Sequence, residues 1–387
     1  MDAWLLYPLL VVAIGTGWWL GRREKTTTHE GVSANYYHGL KHLLNDEPDR
    51  AVTSFIRDLE VTKDTLETHL ALGGVLRRKG DLEQAVIVHQ NILHGSLDPE
   101  TLLSVKLELA RDYLLAGLLD RAESLSLELA DAGGSVGRES LRIMLEIYER
   151  EKEWRQAVEV ASQLASGEDT EKYERAISHY YCELAEEALS RGEPDNAREL
   201  ISEAIGHDNH NPRASLIQGQ IDIRQGRFAD AIRVLQRVKD QNALYVPESL
   251  EALKTAYDGQ GESLEPLVAY LNECLTETPS ISVVLMLANV IRESSGDEAV
   301  ARFIADHLKQ NPTVRGLTQL IDLHIDNTSG VARENLSILR SFAEALVADK
   351  PAYRCESCGL EGKKMRWHCP GCKDWASIKP IFGLEGE

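Results

Sequence analysis

Four of the six cysteines fall between residues 355 and 372, as two C-x-x-C pairs: Cys355 with Cys358, and Cys369 with Cys372. A C-x-x-C pair folds into a tight turn whose backbone N–H groups point at thiolate sulfur. Two such turns facing each other make a tetrahedral S₄ site, suited to one zinc or one iron ion. Gly359 follows the first pair, and Pro370-Gly371 shapes the second. The competing chemistry, two free or redox-active dithiols, lacks the βαβ surroundings that such pairs require. His368 adjoins Cys369 and is expected to stand beside the four thiolates rather than among the ligands. A segment as short as 350–387 cannot build a sufficient core without a metal. Tyr353, Trp367 and Trp375 are expected to pack over the site. Lys363, Lys364 or Arg366 is expected to help offset thiolate charge from outside. Basic residues slightly outnumber acidic ones here, which points to docking against the rest of the chain or a partner.

The other chemistry-bearing residues give weaker signals. His207 and His210 sit in Gly206-His207-Asp208-Asn209-His210-Asn211-Pro212, a loop composition, so no metal is expected there. Cys182 and Cys274 stand alone and read as buried apolar thiols. No His-Glu-x-x-His, Gly-x-Ser-x-Gly, P-loop or dinucleotide fingerprint occurs, and the chain is not expected to be an enzyme. The formal charge of −20 over 387 residues argues against nucleic-acid binding, which needs Lys and Arg to displace phosphate counterions.

These residues must be carried by a helical framework. An alanine recurs at Ala51, Ala85, Ala122, Ala157, Ala197 and Ala231, at steps of 34 to 40 residues. Twelve positions before each stand Gly39, Gly73, Ala110, Leu145, Ala185 and Gly219; five positions before stand Asp46, Gly80, Gly117, Lys152, Gly192 and Gly226. A small residue on one helix and an alanine on the next let an antiparallel pair approach closely. A glycine between them takes the left-handed conformation that stops the first helix. Leu76, Leu82, Val86, Ile92 and Leu93 supply an apolar face. Prolines at 99, 212, 247, 279 and 312 mark where second helices end. This spacing resembles the tetratricopeptide repeat. Six units cover residues 35–245, and two less regular ones turn near Gly261 and Gly296, with Pro266 at one alanine position. Tyr36, Tyr37, Tyr113, Tyr148, Tyr180 and Tyr181 are expected mostly to pack between helices. A stacked array offers a surface for protein segments.

Ala3 to Leu20 carry no charge and, as a helix, would span about 27 Å, enough for a thin hydrocarbon core. Trp4, Tyr7, Trp18 and Trp19 lie near its ends, and Arg22, Arg23 and Lys25 follow. This pattern predicts an uncleaved anchor with the bulk of the chain on the cytoplasmic side.

The fold class is therefore all-α: a tetratricopeptide solenoid with an N-terminal transmembrane helix and a small C-terminal rubredoxin-like or zinc-ribbon Cys₄ domain. The expected division is anchor 1–21, juxtamembrane linker 22–34, repeat array 35–349 and metal domain 350–387. Gly21-Arg22-Arg23 at the anchor's end, the array, and Trp367-His368-Cys369-Pro370 with Cys372, Trp375 and Ile378-Lys379-Pro380 together resemble the lipopolysaccharide assembly protein B family of Gram-negative bacteria. The resemblance implies a non-enzymatic inner-membrane adaptor that promotes degradation of the LpxC deacetylase by the membrane protease FtsH and gathers lipopolysaccharide assembly proteins at the membrane. It also implies a rubredoxin-type metal at Cys355, Cys358, Cys369 and Cys372.

Overall fold

The structure, a computed structural model, describes residues 15, 16, 18, 19, 65–95, 97–166, 169–261 and 263–387. Most of the expected anchor, the juxtamembrane linker and the first repeat unit, with Gly39, Asp46, Ala51, Tyr36 and Tyr37, lie outside the described residues. Among the described residues no helix is long and apolar enough to cross a membrane.

The chain divides into two compact units, residues 1–143 and 144–387. In the first, α1 (Leu66–Lys79), α2 (Leu82–Leu93), α3 (Pro99–Leu115) and α4 (Leu119–Ala130) form two antiparallel pairs, and α5 (Gly134–Glu151) begins. In the second, α6 (Trp154–Leu164), α7 (Thr170–Ser190), α8 (Pro194–His207), α9 (Pro212–Arg224) and α10 (Phe228–Asn242) continue the alternation. A short 3-10 turn, Ala243–Tyr245, leads into α11 (Val246–Gln260), α12 (Glu265–Glu277), α13 (Ile281–Gln310), α14 (Val314–Asp326) and α15 (Val331–Val347).

The repeat signature translates directly into packing. Ala85, Ala122, Ala157, Ala197 and Ala231 are wholly buried. So are Ile92, Leu129, Ala204 and Val238 seven residues on, with Leu164 nearly so; all but Ala204 are larger than the alanine usual at that place. A Cβ on Gly73 would overlap the His89 imidazole, and one on Gly219 would meet the Leu235 methyl at 2.5 Å, so both are close-approach positions. At Gly80 the chain turns with φ 85°, its N–H bonded to the Arg77 carbonyl and the next N–H to that of Leu76. Lys152 occupies the same station with φ 61°, where an L side chain is strained, and the Glu153 N–H still closes on the Tyr148 carbonyl. The prolines serve as starts: Pro99 and Pro212 open α3 and α9, and Pro247 lies in the first turn of α11.

The expected break at Gly296 is present: a φ of 76° and a ψ of 177° there divide residues 281–310 into two helices. Beyond them α14 and α15 form another pair that carries no recurring alanine. Val331, Ile338, Leu339, Phe342 and Leu346 on α15 are each more than half exposed.

A three-stranded antiparallel sheet follows, in the order β2 (Glu361–Gly362), β1 (Tyr353–Cys355), β3 (Ile378–Pro380). Tyr353 pairs with Gly362 on one side and Pro380 on the other. The core of this ribbon is Cys355, Cys369 and Ile378, flanked by Tyr353 and Met365. So small an apolar set is the reason the ribbon needs further ties.

Candidate metal centre

Each C-x-x-C pair is set by a matched turn. The Gly359 N–H reaches the Cys355 carbonyl, and the Lys373 N–H reaches that of Cys369, both at 2.9 Å. The two closing residues share the left-handed conformation, φ 76° at Gly359 and 62° at Lys373. A β1 hydrogen bond (Cys355 N to Leu360 O, 2.8 Å) holds the first turn, and Cys369 N to Asp374 O (3.0 Å) holds the second. The four sulfurs all lie within 4.8 Å of one another. Cys355 to Cys372 and Cys358 to Cys369 are both 3.7 Å. A tetrahedron with metal–sulfur bonds of about 2.3 Å has edges of about 3.8 Å, so these separations suit one ion.

The donors differ in setting. Cys355 and Cys369 are buried; Cys358 and Cys372 are exposed. Desolvation opposes ionisation of Cys355, but the Ser377 hydroxyl and the N–H groups of Cys358 and Ser357 outweigh it and bring the thiol down to about 6. Cys372 is pushed up to about 12 by desolvation and by hydrogen bonds with the neighbouring thiols. Four thiolates crowded together therefore need a cation to coexist. Among the described residues, these cysteines form the one cluster of three or more potential metal donors.

The remaining sequence expectations resolve as follows. His368 stands outside the set: its Nε2 lies 3.0 Å from the Lys373 carbonyl and its ring stacks on Trp375 at 4.4 Å. His207 lies 2.5 Å from the Glu174 carboxylate and stacks on Tyr181, with exposed His210 uninvolved. Cys182 and Cys274 are buried, and burial pushes the Cys182 thiol up to about 12. Tyr113, Tyr148 and Tyr180 are buried; Tyr181 is half-buried.

Two expectations are corrected. Lys363 does not turn to the thiolates; its Nζ caps α15, 2.7 Å from the Ala348 carbonyl. Trp367 and Trp375 do not roof the metal site. They dock the ribbon onto helices of residues 144–387. Trp375, 6% exposed, stacks on His179 (5.0 Å, 15°) and meets Trp154 and Tyr180 edge to face at 6.1 and 5.7 Å. Its Nε1 donates to Glu149 (3.2 Å), which also accepts from Tyr180 (2.6 Å). The Arg213 guanidinium lies 6.0 Å from the indole centroid and is bound by Glu183 and Glu186. Trp367 packs on Tyr245 at 4.8 Å. The Tyr245 hydroxyl lies 2.9 Å from the Ala376 carbonyl and 3.0 Å from that of Ile378, and accepts from Lys379.

The seam continues along successive first helices. Tyr353 donates to Glu248 on α11 (2.8 Å). Glu387 accepts from Ser280 and Ser282 at the start of α13 and pairs with Arg315 on α14. Val314 N–H bonds Leu384 O at 2.9 Å. Sequence reasoning missed the receiving side: Glu149, Trp154, His179, Arg213, Tyr245 and Glu248. The available signal was an aromatic excess on α6 and α7, matched by two tryptophans in a segment too small to bury them.

Fold and site define a class: a helical-repeat scaffold with a four-cysteine metal-binding ribbon packed onto its own repeats. The rubredoxin metal binding domain family matches residues 353–380, and tetratricopeptide repeat families match 68–103 and 188–257. Lipopolysaccharide assembly protein B of Escherichia coli K12 is 36% identical, covering 99% of both chains. Its Haemophilus influenzae counterpart is 29% identical over 98% of this chain and 99% of its own. A solved tetratricopeptide repeat protein from Parabacteroides merdae has 13% identity and a TM-score of 0.35, covering 67% of this chain and 98% of that one. The chain belongs to the lipopolysaccharide assembly protein B family.

Proposed function

We propose that this chain is a non-enzymatic inner-membrane adaptor in lipopolysaccharide assembly, tethered by residues 3–20 with its repeats and ribbon on the cytoplasmic side. In this reading it presents the LpxC deacetylase to the FtsH protease and gathers other lipopolysaccharide assembly proteins at the membrane. Cys355, Cys358, Cys369 and Cys372 hold one zinc or iron ion whose task is to fold the ribbon. The observation carrying the adaptor role is the match to lipopolysaccharide assembly protein B over nearly the whole of both chains. The docked ribbon supports it: a metal serving structure would sit, as here, in a small domain sewn to a scaffold by many side chains. A shared membrane tether raises the effective concentration of partners in the membrane plane.

Crosslinking in the native membrane, followed by identification of the captured proteins, tests this function. Recovery of protease and deacetylase together is expected. Recovery of redox enzymes alone would replace the adaptor with an electron carrier.

A further inference from the structure

The ribbon carries a second concave site, separate from the thiolates. Tyr353, Leu360, Pro370 and Ile378 form its apolar wall, and Glu361, Gly362, Lys363, Lys364 and Arg366 its polar side. Its volume is about 440 Å³, enough for one or two side chains. Its one carboxylate, Glu361, is neutralised by Arg354, whose Nε and a terminal nitrogen lie 2.9 and 2.8 Å away. Lys363 is tied to the end of α15. Lys364 and Arg366 are exposed and have no ion-pair partner among the described residues. A chain of net charge −20 thus gathers two uncompensated cations on the rim of an apolar hollow.

We infer that this hollow is a docking site for a short acidic segment of a partner protein, one apolar side chain entering between Leu360 and Tyr353 while flanking carboxylates meet Lys364 and Arg366. Charge complementarity selects the sign of the partner. Concavity selects a peptide over a membrane: two free cations contribute only about 1 kcal/mol each at an anionic bilayer, and a lipid surface has nothing to seat in a hollow of this size. Nucleic acid is disfavoured because so few cations release few counterions. The site goes beyond the adaptor reading, since it stands on the ribbon whatever the repeats hold.

The test is fluorescence anisotropy of the metal-loaded full-length chain in detergent with a labelled hexapeptide, acetyl-Glu-Asp-Leu-Phe-Asp-Glu-amide. A second peptide has every acid replaced by lysine, and phosphatidylglycerol vesicles form a third arm. The acidic peptide should bind, at least tenfold more tightly than the basic one, and weaken several-fold from about 50 to about 300 mM salt. The double variant Lys364→Glu, Arg366→Glu should lose at least tenfold while keeping its metal. The control Arg302→Glu, Lys309→Glu, on α13, should stay within twofold of the parent. Absence of acidic-peptide binding, equal binding of the basic peptide, equal losses in both double variants, or vesicle binding abolished by the Lys364, Arg366 change without peptide binding would each overturn the inference.

Discussion

The Trp375 indole lies nearly parallel to the His179 imidazole, their centroids 5.0 Å apart, with its Nε1 bonded to Glu149. This pair joins a ribbon built around four cysteines to a helix nearly 200 residues earlier in the chain. Removing the indole should undo the joint. Trp375→Ala is expected to cost about 3–5 kcal/mol, by cavity formation and by loss of the Nε1 bond to Glu149. Limited proteolysis should then cut after about residue 350 while helical circular dichroism stays near the parent value. Trp375→Phe should keep most of the stacking and lose only the Glu149 bond.

The same pair sets a pH response. Burial drives the His179 pKa well below the ordinary histidine value, helped by the charges of Arg213, Arg175, His368 and Lys379. The folded state therefore holds a neutral ring while the unfolded chain takes up a proton below about pH 6.5. Stability should be unaffected by this group above that value and fall on acidification below it, by up to about 1.4 kcal/mol per pH unit. Urea titrations at several pH values check the slope, and His179→Phe should flatten its part of the loss.

At Lys152 the turn between α5 and α6 is complete in its hydrogen bonds but strained in its φ of 61°. Lys152→Gly relieves about 1–2 kcal/mol of strain and gives back part through backbone entropy. A net gain of about 1 kcal/mol in urea unfolding is expected, with no change in metal content.

Gly73 lies against the His89 ring, which is buried and bonded to Asp112. Gly73→Leu should force α1 away from α2, costing about 1–3 kcal/mol. Hydrogen exchange should rise in residues 66–115. Unchanged protection there would show that this pair tolerates the wedge.

Much of this architecture was legible in the residues. Alanine and glycine spacing located helix pairs because close approach admits few side chains, and even Lys152 kept its station by accepting an unfavourable φ. The pair α14–α15 was not legible, since its buried small residues, Gly316 and Ala343, do not fall at the recurring spacing. Four sulfurs at two-residue spacing announced a metal site through the rigidity of the turns. The partners of Trp375 could not be read in the same way. Glu149 and His179 lie 226 and 196 residues before Trp375, and only tertiary folding brings such separations together. An aromatic residue beside a cysteine knuckle looks the same in sequence whether it roofs the metal or anchors the domain.

The most direct measurement is metal content with X-ray absorption on the purified full-length chain. One zinc or iron ion per chain is expected, with four sulfur neighbours at about 2.3 Å. In Cys369→Ser the ion should be lost, and the ribbon should become protease-sensitive with the helices retained. A chain with an ordered ribbon and no stoichiometric metal, or an ion bound mainly by nitrogen or oxygen, would contradict the account.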